Sequence, residues 1–372
     1  MSLRRLRATR LAFVCAVALL ASATWATGAT AAWGPREAGN SKRTAAKVQE
    51  YWTYERMENA RPLEVAITDG GGRARARSTA APAFSTFELT NTTSYPNRVH
   101  GKIFFTRPGS GNFVCSGTAV DALNRSTVIT AGHCVHLGGI WSTNFAFAPG
   151  YRRQGGTGNA PYGVWAATGE AAPRPWVESR NLKFDVGAAI LARNSVGRTV
   201  EEVVGARRVA FDQPTSQSFR SYGYPAEATS EHRFDGTRLW ACDSTAPITD
   251  NSTSASGPAA LGIGCDMTGG SSGGGWVTGG GLLNGVNSYR YSNQPDVMYG
   301  PYFGSTIKEL YDFAAAQPPG TPGSYAVGNA IPDVSNASPV VSGRMPRPVC
   351  KKARKKRKKK RAARRACKVK RF

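Results

Sequence analysis

Between residues 96 and 316 the chain alternates short apolar runs with Gly, Asn and Pro turns: "RVHGKIFF", "STVITA", "FDVGAAIL", "SFRSYGY" and "GLLNGVNSY". Such runs, rich in β-branched and aromatic residues, form strands, and turn residues at this frequency interrupt any helix between them. With 42 Gly and 22 Pro in 372 residues, the pattern predicts an all-β sandwich or barrel built from many short strands. One stretch departs from it. "STIKELYDFAAA" has helical spacing, with Ser305 available as cap, Lys308 and Glu309 toward solvent and "QPPGTPG" as a stop, which predicts a helix over 305–315. There is no internal repeat and no heptad pattern.

The two ends of the chain are not part of that fold. Arg4, Arg5, Arg7 and Arg10 precede the apolar "LAFVCAVALLASA", and small-residue cleavage motifs follow at Ala23 and Ala31. The apolar run is shorter than the ~20 residues a bilayer span needs, so residues 1–31 read as a secretory signal peptide and the protein as secreted. Residues 32–95 combine helical spacing in "AAKVQEYWTYERMENA" with the connector "TDGGGRARARSTAAPAF". They read as a propeptide or N-terminal extension with a cleavable connector, the alternative being an ordinary peripheral helix. Residues 317–349 are rich in Pro, Gly and Ser and read as a linker.

The formal charge of +24 is a local property. Residues 344–372 hold 17 of the 48 basic residues and no acid, and the signal holds four more, leaving 27 basic against 24 acidic residues. The tail 350–372, "CKKARKKRKKKRAARRACKVKRF", cannot pack against itself and is expected to be disordered. It suits an anionic partner, whether cell-surface polymer, membrane or extracellular nucleic acid, which would retain the protein at the cell surface; the alternative is a solvated tail without a role. It lacks aromatics to stack on bases before Phe372, which argues against sequence-specific nucleic-acid reading. The rest of the chain reads as a monomer.

Of seven cysteines, Cys15 lies in the signal. The six others form an even set in an exported chain and read as disulfides, with 15 conceivable connectivities. Sequence neighbours suggest Cys115–Cys134, Cys242–Cys265 and Cys350–Cys367. Cys115, His133, Cys134 and His136 match no familiar zinc spacing, so neither metal nor other cofactor is expected.

The chemistry turns on "TGGSSGGGW", residues 268–276. Gly and Ser at this density usually make a flexible linker. The stretch also fits the G-x-S-x-G elbow of α/β-hydrolases, but that fold needs a histidine after the serine. His100, His133, His136 and His232 all lie upstream, which excludes it. "VITAGHCV" places His133 directly after an apolar strand, and "NLKFDVGAAIL" places Asp185 at the head of another. A carboxylate entering a buried strand must be hydrogen-bonded, and an imidazole N–H is a suitable partner. His, Asp and Ser in this order match the two-barrel arrangement of a serine nucleophile, histidine base and orienting carboxylate.

In "TAGHC", "FDVGAAIL" and "GGSSGG" the chain resembles the trypsin-like (chymotrypsin-fold) serine proteases, and among them the secreted bacterial, glutamyl-endopeptidase-like branch. The resemblance covers 96–316. It implies two six-stranded antiparallel β-barrels with a C-terminal helix, and a serine endopeptidase using His133, Asp185 and Ser272. The backbone N–H groups of Gly270 and Ser272 would form the oxyanion hole. Ser272, with a glycine two residues before it and Gly-Gly after it, is preferred over Ser271. Ser271 stands where the animal branch has an aspartate that pairs with a freed N-terminus, so that activation switch is expected to be absent. Gly275 replaces the usual proline. The segment "GLLNGVNSYRY" resembles the strand that pairs with the substrate backbone, which makes Asn287 and Ser288 candidate substrate contacts. Glu-specific relatives carry histidine where Asn287 stands, which argues against that specificity. Asp266, six residues before Ser272, either faces a basic substrate side chain or is a structural carboxylate. The rival reading is a non-catalytic protease-fold protein that binds anionic polymers through its tail.

Overall fold

The computed structural model describes residues 45–67, 80–154, 157–250 and 255–329. The signal peptide, the basic tail, the pair Cys350–Cys367 and the later part of the linker lie outside the described residues.

Six antiparallel strands close into a barrel. In order around the ring they are Gly111–Val120, His100–Arg107, Thr143–Pro149, Trp165–Pro173, Gly187–Leu191 and Thr127–Thr130, the last pairing back onto the first. Closure removes the exposed edges that an open sheet would leave. Ile103, Phe105, Phe145, Phe147 and Val128 fill the interior, whereas Phe104 faces outward onto Trp52, and all are almost fully buried. At ~25 cal/mol per Å² of buried apolar surface, packing of this kind contributes more than any single polar contact.

The C-terminal half is two five-stranded sheets. One runs Leu283–Val286, Gly275–Thr278, Phe219–Gly223, Trp240–Ser244, Phe84–Glu88; the other runs Ile248–Asp250, Ala260–Gly264, Val297–Gly300, Tyr289–Tyr291, Val65–Ile67. Among the described residues no strand pairing joins them into a second closed ring. The link is covalent: Cys242, in the first sheet, is bonded to Cys265, which directly follows a strand of the second. Around it pack Phe219, Leu261, Ile263, Met267, Trp276 and Met298.

Segments outside 96–316 are built into this frame. The extension forms the helices Ala45–Tyr51 and Tyr54–Glu58, broken at Thr53, whose side chain caps the second. Val48 and Trp52 are buried, and the Trp52 ring lies 5.4 Å from Phe104. Phe84–Glu88, within the stretch read as propeptide or extension, pairs antiparallel with Trp240–Ser244 along its full length. Gly323–Val327, within the stretch read as linker, pairs in parallel with the barrel strand Trp165–Pro173. The C-terminal helix is Ser305–Ala316; its N-cap is Gly304, and Ser305 is its first helical residue rather than its cap.

Candidate active site

The strand Thr127–Thr130 runs into a one-turn helix, Gly132–Val135, that carries His133. A Cβ on Gly132 would stand 2.8 Å from Asp185 Oδ1 and 2.8 Å from the Trp176 ring. Only glycine lets this turn approach the carboxylate so closely. Asp185 follows the 3-10 turn Leu182–Phe184 and precedes Gly187–Leu191. Its Oδ1 accepts the backbone N–H of His133 at 2.7 Å; its Oδ2 lies 2.8 Å from His133 Nδ1 and accepts the Ser288 hydroxyl at 2.5 Å. Both side chains are fully buried. Since the carboxylate can only accept, His133 carries its proton on Nδ1 and turns the Nε2 lone pair away. Nε2 is buried without a hydrogen-bond partner.

The Gly-Ser stretch is a fixed loop rather than a linker. Ser271 donates through both N–H and Oγ to Thr268 O, at 3.2 and 2.7 Å, and Gly274 N–H closes back on Ser271 O at 2.9 Å. Gly273 N–H donates to Asn287 O, and Asn287 N–H donates to Gly274 O. Gly273 has φ +81, and a Cβ there would fall 2.0 Å from Thr130 Oγ1. The glycines therefore allow the loop to seat against the first barrel.

The strand Gly111–Val120 brings the two halves together. Cys115 is bonded to Cys134, the residue after His133; in the chain-entropy account a loop of this length contributes ~3 kcal/mol. Ser116 N–H donates to Ser272 O at 2.7 Å, and Ser116 Oγ donates to Gly270 O at 2.9 Å while accepting Tyr224 N–H. Cys134 Sγ is 3.9 Å from Ser272 O. Ser272 is thus held against the turn that presents His133. Its Oγ donates to the carbonyl of Leu63 at 3.2 Å.

The remaining sequence candidates sit as follows. Ser271 is bonded within its own loop, whereas Ser272 turns its Oγ to Leu63 O. Gly270, at φ +95, has the positive φ that glycine tolerates. Ser288 supports Asp185 with its hydroxyl. Asn287 is fully buried: its amide donates to Tyr222 O and Ser271 O, and its carbonyl accepts Ser221 Oγ and Trp276 Nε1. With all four valences spent on protein groups it braces the serine loop and offers a substrate nothing. Asp266 accepts Thr86 Oγ1 at 2.6 Å and pairs with His232 Nε2 at 3.3 Å, the structural of its two readings in this conformation. His100 is stacked on Tyr222 at 3.7 Å, and burial first, then Arg207, holds it well below its ordinary pKa. His136 is lowered to about 4, by burial first and then by Arg107. Both are neutral core histidines. Ser116 and Trp176, whose indole N–H donates to His136 O, support the site but carry no motif of their own.

No family model matches the chain. Across 63% of its length the chain is 40% identical to protease Anisep from Arthrobacter nicotinovorans, covering all of that structure at a TM-score of 0.54. It is 41% identical to thermostable serine protease AL20 from an extremophilic microorganism, covering 59% of this chain and 98% of that one at a TM-score of 0.53. A 143-residue stretch, 38% of this chain, is 33% identical to the "Extracellular metalloprotease" of Bacillus subtilis (strain 168), and spans 43% of that protein. The name of that relative implies a metal. Among the described residues two groups gather three donors within 4.8 Å: Cys115 with His133 and Cys134, and Glu231 with His232 and Asp266. In the first, both sulfurs are joined in a disulfide, so no thiolate remains to bind. The second set lies apart from His133 and Ser272, with Asp266 Oδ1 accepting Thr86 Oγ1 and Oδ2 facing His232 Nε2. The disulfide takes the set that holds His133 out of metal chemistry.

Proposed function

Because this chain belongs to the serine proteases of chymotrypsin fold, we propose that it is a secreted serine endopeptidase working through His133, Asp185 and Ser272. The observation that carries the reading is the buried, doubly bonded His133–Asp185 pair, with Nε2 left free beside the loop that holds Ser272. In the reaction, Ser272 Oγ attacks the peptide carbonyl carbon as His133 Nε2 takes its proton. The same nitrogen then returns the proton to the leaving amine, and water releases the acyl group by the reverse sequence. Asp185 fixes the imidazole tautomer and balances the imidazolium. Gly270 and Ser272 N–H would stabilise the oxyanion. Two internal disulfides suit an oxidising compartment, and the Bacillus relative is named as extracellular.

The test is Ser272→Ala in the processed protein. Turnover of a peptide substrate should fall by ~10⁶ while the fold is kept, and a fluorophosphonate probe should label Ser272 in the parent and nothing in His133→Ala. Unchanged hydrolysis by Ser272→Ala would overturn the assignment.

A further inference from the structure

The contact between Ser272 Oγ and Leu63 O belongs to a longer feature. Residues 61–67 cross the cleft between the two halves. Arg61 and Pro62 pair in parallel with Phe113 and Val114 of the first barrel, and Leu63 N–H donates to Val114 O at 3.3 Å. Three residues on, Val65–Ile67 pairs in parallel with Tyr289–Tyr291, the strand resembling the one that takes substrate backbone, and Ser292 N–H donates to Ile67 O. Leu63 and Glu64 are therefore stretched directly over Ser272. A Cβ built on Gly269, in the serine loop, would stand 3.3 Å from both Pro62 Cβ and Glu64 Cβ. Glu64 forms an ion pair with Arg290 in the substrate-pairing strand. The upstream helices anchor the segment through Val48, Trp52 and the Glu58–Arg153 ion pair at 2.7 Å.

The placement is that of a ligand held unproductively. Attack requires Oγ to face a carbonyl carbon while the oxygen points to the Gly270 and Ser272 N–H groups. Here the Leu63 oxygen itself faces Oγ and accepts its proton, which is thereby directed away from His133.

We infer that residues 61–67 are an autoinhibitory strap, occupying the substrate cleft of the uncut chain and holding Ser272 off His133 until the chain is hydrolysed between Ile67 and Phe84. The inference rests on the peptidase reading above. Hydrolysis there adds one water across a peptide bond and separates the strap from Phe84–Glu88, which stays in the C-terminal sheet. Tethering supplies an effective concentration of ~1 mM, so a strap with cleft affinity of ~10 μM would suppress access ~100-fold.

The experiment compares fluorophosphonate labelling rates of the purified uncut chain with the same chain after a trace of trypsin, subsequently quenched, has cut between residues 67 and 84, as verified by mass spectrometry. Labelling should rise ~100-fold on cutting. In the uncut chain, Glu64→Arg sets like charges against each other at Arg290 and should raise labelling at least ~10-fold; Arg290→Glu in the same chain should restore slow labelling. Thermal unfolding confirms that each variant is folded. Fast labelling of the folded, uncut parent would overturn the strap while leaving the peptidase reading intact. Absence of labelling in both cut and uncut folded protein would overturn the peptidase reading, and the strap with it.

Discussion

Replacing Asp185 with asparagine should abolish most catalysis without disturbing the fold, and the geometry says why. The carboxylate accepts three bonds, from His133 N–H at Oδ1 and from His133 Nδ1 and Ser288 Oγ at Oδ2. The backbone donor cannot reverse its role, so the amide oxygen must take the Oδ1 position. The NH₂ then occupies the Oδ2 position, where both neighbours can adapt: Ser288 Oγ can accept, and imidazole can present its Nδ1 lone pair. The cost is the buried Ser288 O–H, which loses its acceptor, so the stability change should stay within ~2 kcal/mol. The tautomer, however, is inverted. With its proton on Nε2, His133 cannot take one from Ser272, and in triads of this kind the loss is ~10⁴ in kcat, or ~5.4 kcal/mol of activation free energy. The assay is kcat on a peptide substrate with processed enzyme, alongside urea denaturation of the same samples. A kcat within tenfold of the parent would refute the orienting role. A variant that fails to fold would refute the claim that the amide serves the same three neighbours.

Other consequences can be checked separately. Glu170 is buried with Oε2 unpartnered, and burial pushes its carboxyl well above the ordinary carboxylate range. The folded state thus keeps a proton that the unfolded chain releases above ~4.5, and stability falls as pH rises from there to the folded-state pKa. Glu170→Gln should remove that slope, gaining on the parent by up to ~1.4 kcal/mol per pH unit in urea denaturation at pH 5 to 8, whereas parallel profiles would show the carboxyl ionises freely in the fold. Peptidase activity of the processed protein should survive a chelator and be lost to a fluorophosphonate; the opposite pair of results would favour metal chemistry like that named for the Bacillus relative. Removing 350–372 should leave peptide hydrolysis unchanged and lower the salt at which the protein leaves an anionic matrix, and equal retention of the truncated chain would count against a tethering tail.

The strands that were legible in the sequence are those whose burial is continuous. "STVITA" and "FDVGAAIL" contain Thr127–Thr130 and Gly187–Leu191, both buried at every position, and an uninterrupted apolar run needs no knowledge of its neighbours to be recognised. Phe84–Glu88 and Gly323–Val327 were not legible for the opposite reason. Each is a sheet-edge strand, Phe84–Glu88 exposed or half-buried throughout and Gly323–Val327 half-buried from Tyr325 on, so its strand character comes from the pairing partner rather than from its own pattern. Composition places the boundaries at 95 and 317, inside the limits that strand pairing reaches at both ends. The same limit separates Asn287 from Ser288. The motif places both near the substrate strand, yet neighbouring residues of extended chain face opposite ways: Asn287 turns into the serine loop and Ser288 toward Asp185.

The histidine and serine motifs were readable because the close approaches they serve demand particular residues: glycine at 132 and 273, cysteine at 115 and 134. What joins them was not, since Ser116 is an ordinary serine until strand register sets its N–H opposite Ser272 O. Residues 113–116 illustrate the consequence. Phe113 and Val114 pair with the strap, Cys115 fixes the turn carrying His133, and Ser116 holds the backbone of Ser272. On the proposed function, four consecutive residues therefore present the base, seat the nucleophile and receive the segment inferred to block both. On the proposed reading the strap adds itself to an assembled site rather than distorting one, because the Ser116 and Cys115 links are made while Leu63 is in place. Activation then needs only departure of the strap and rotation of the Ser272 side chain, without rebuilding the serine loop. That distinguishes this chain from an activation that depends on a newly freed N-terminus pairing beside the nucleophile, a role that Ser271, bonded to Thr268 and carrying no charge, cannot fill.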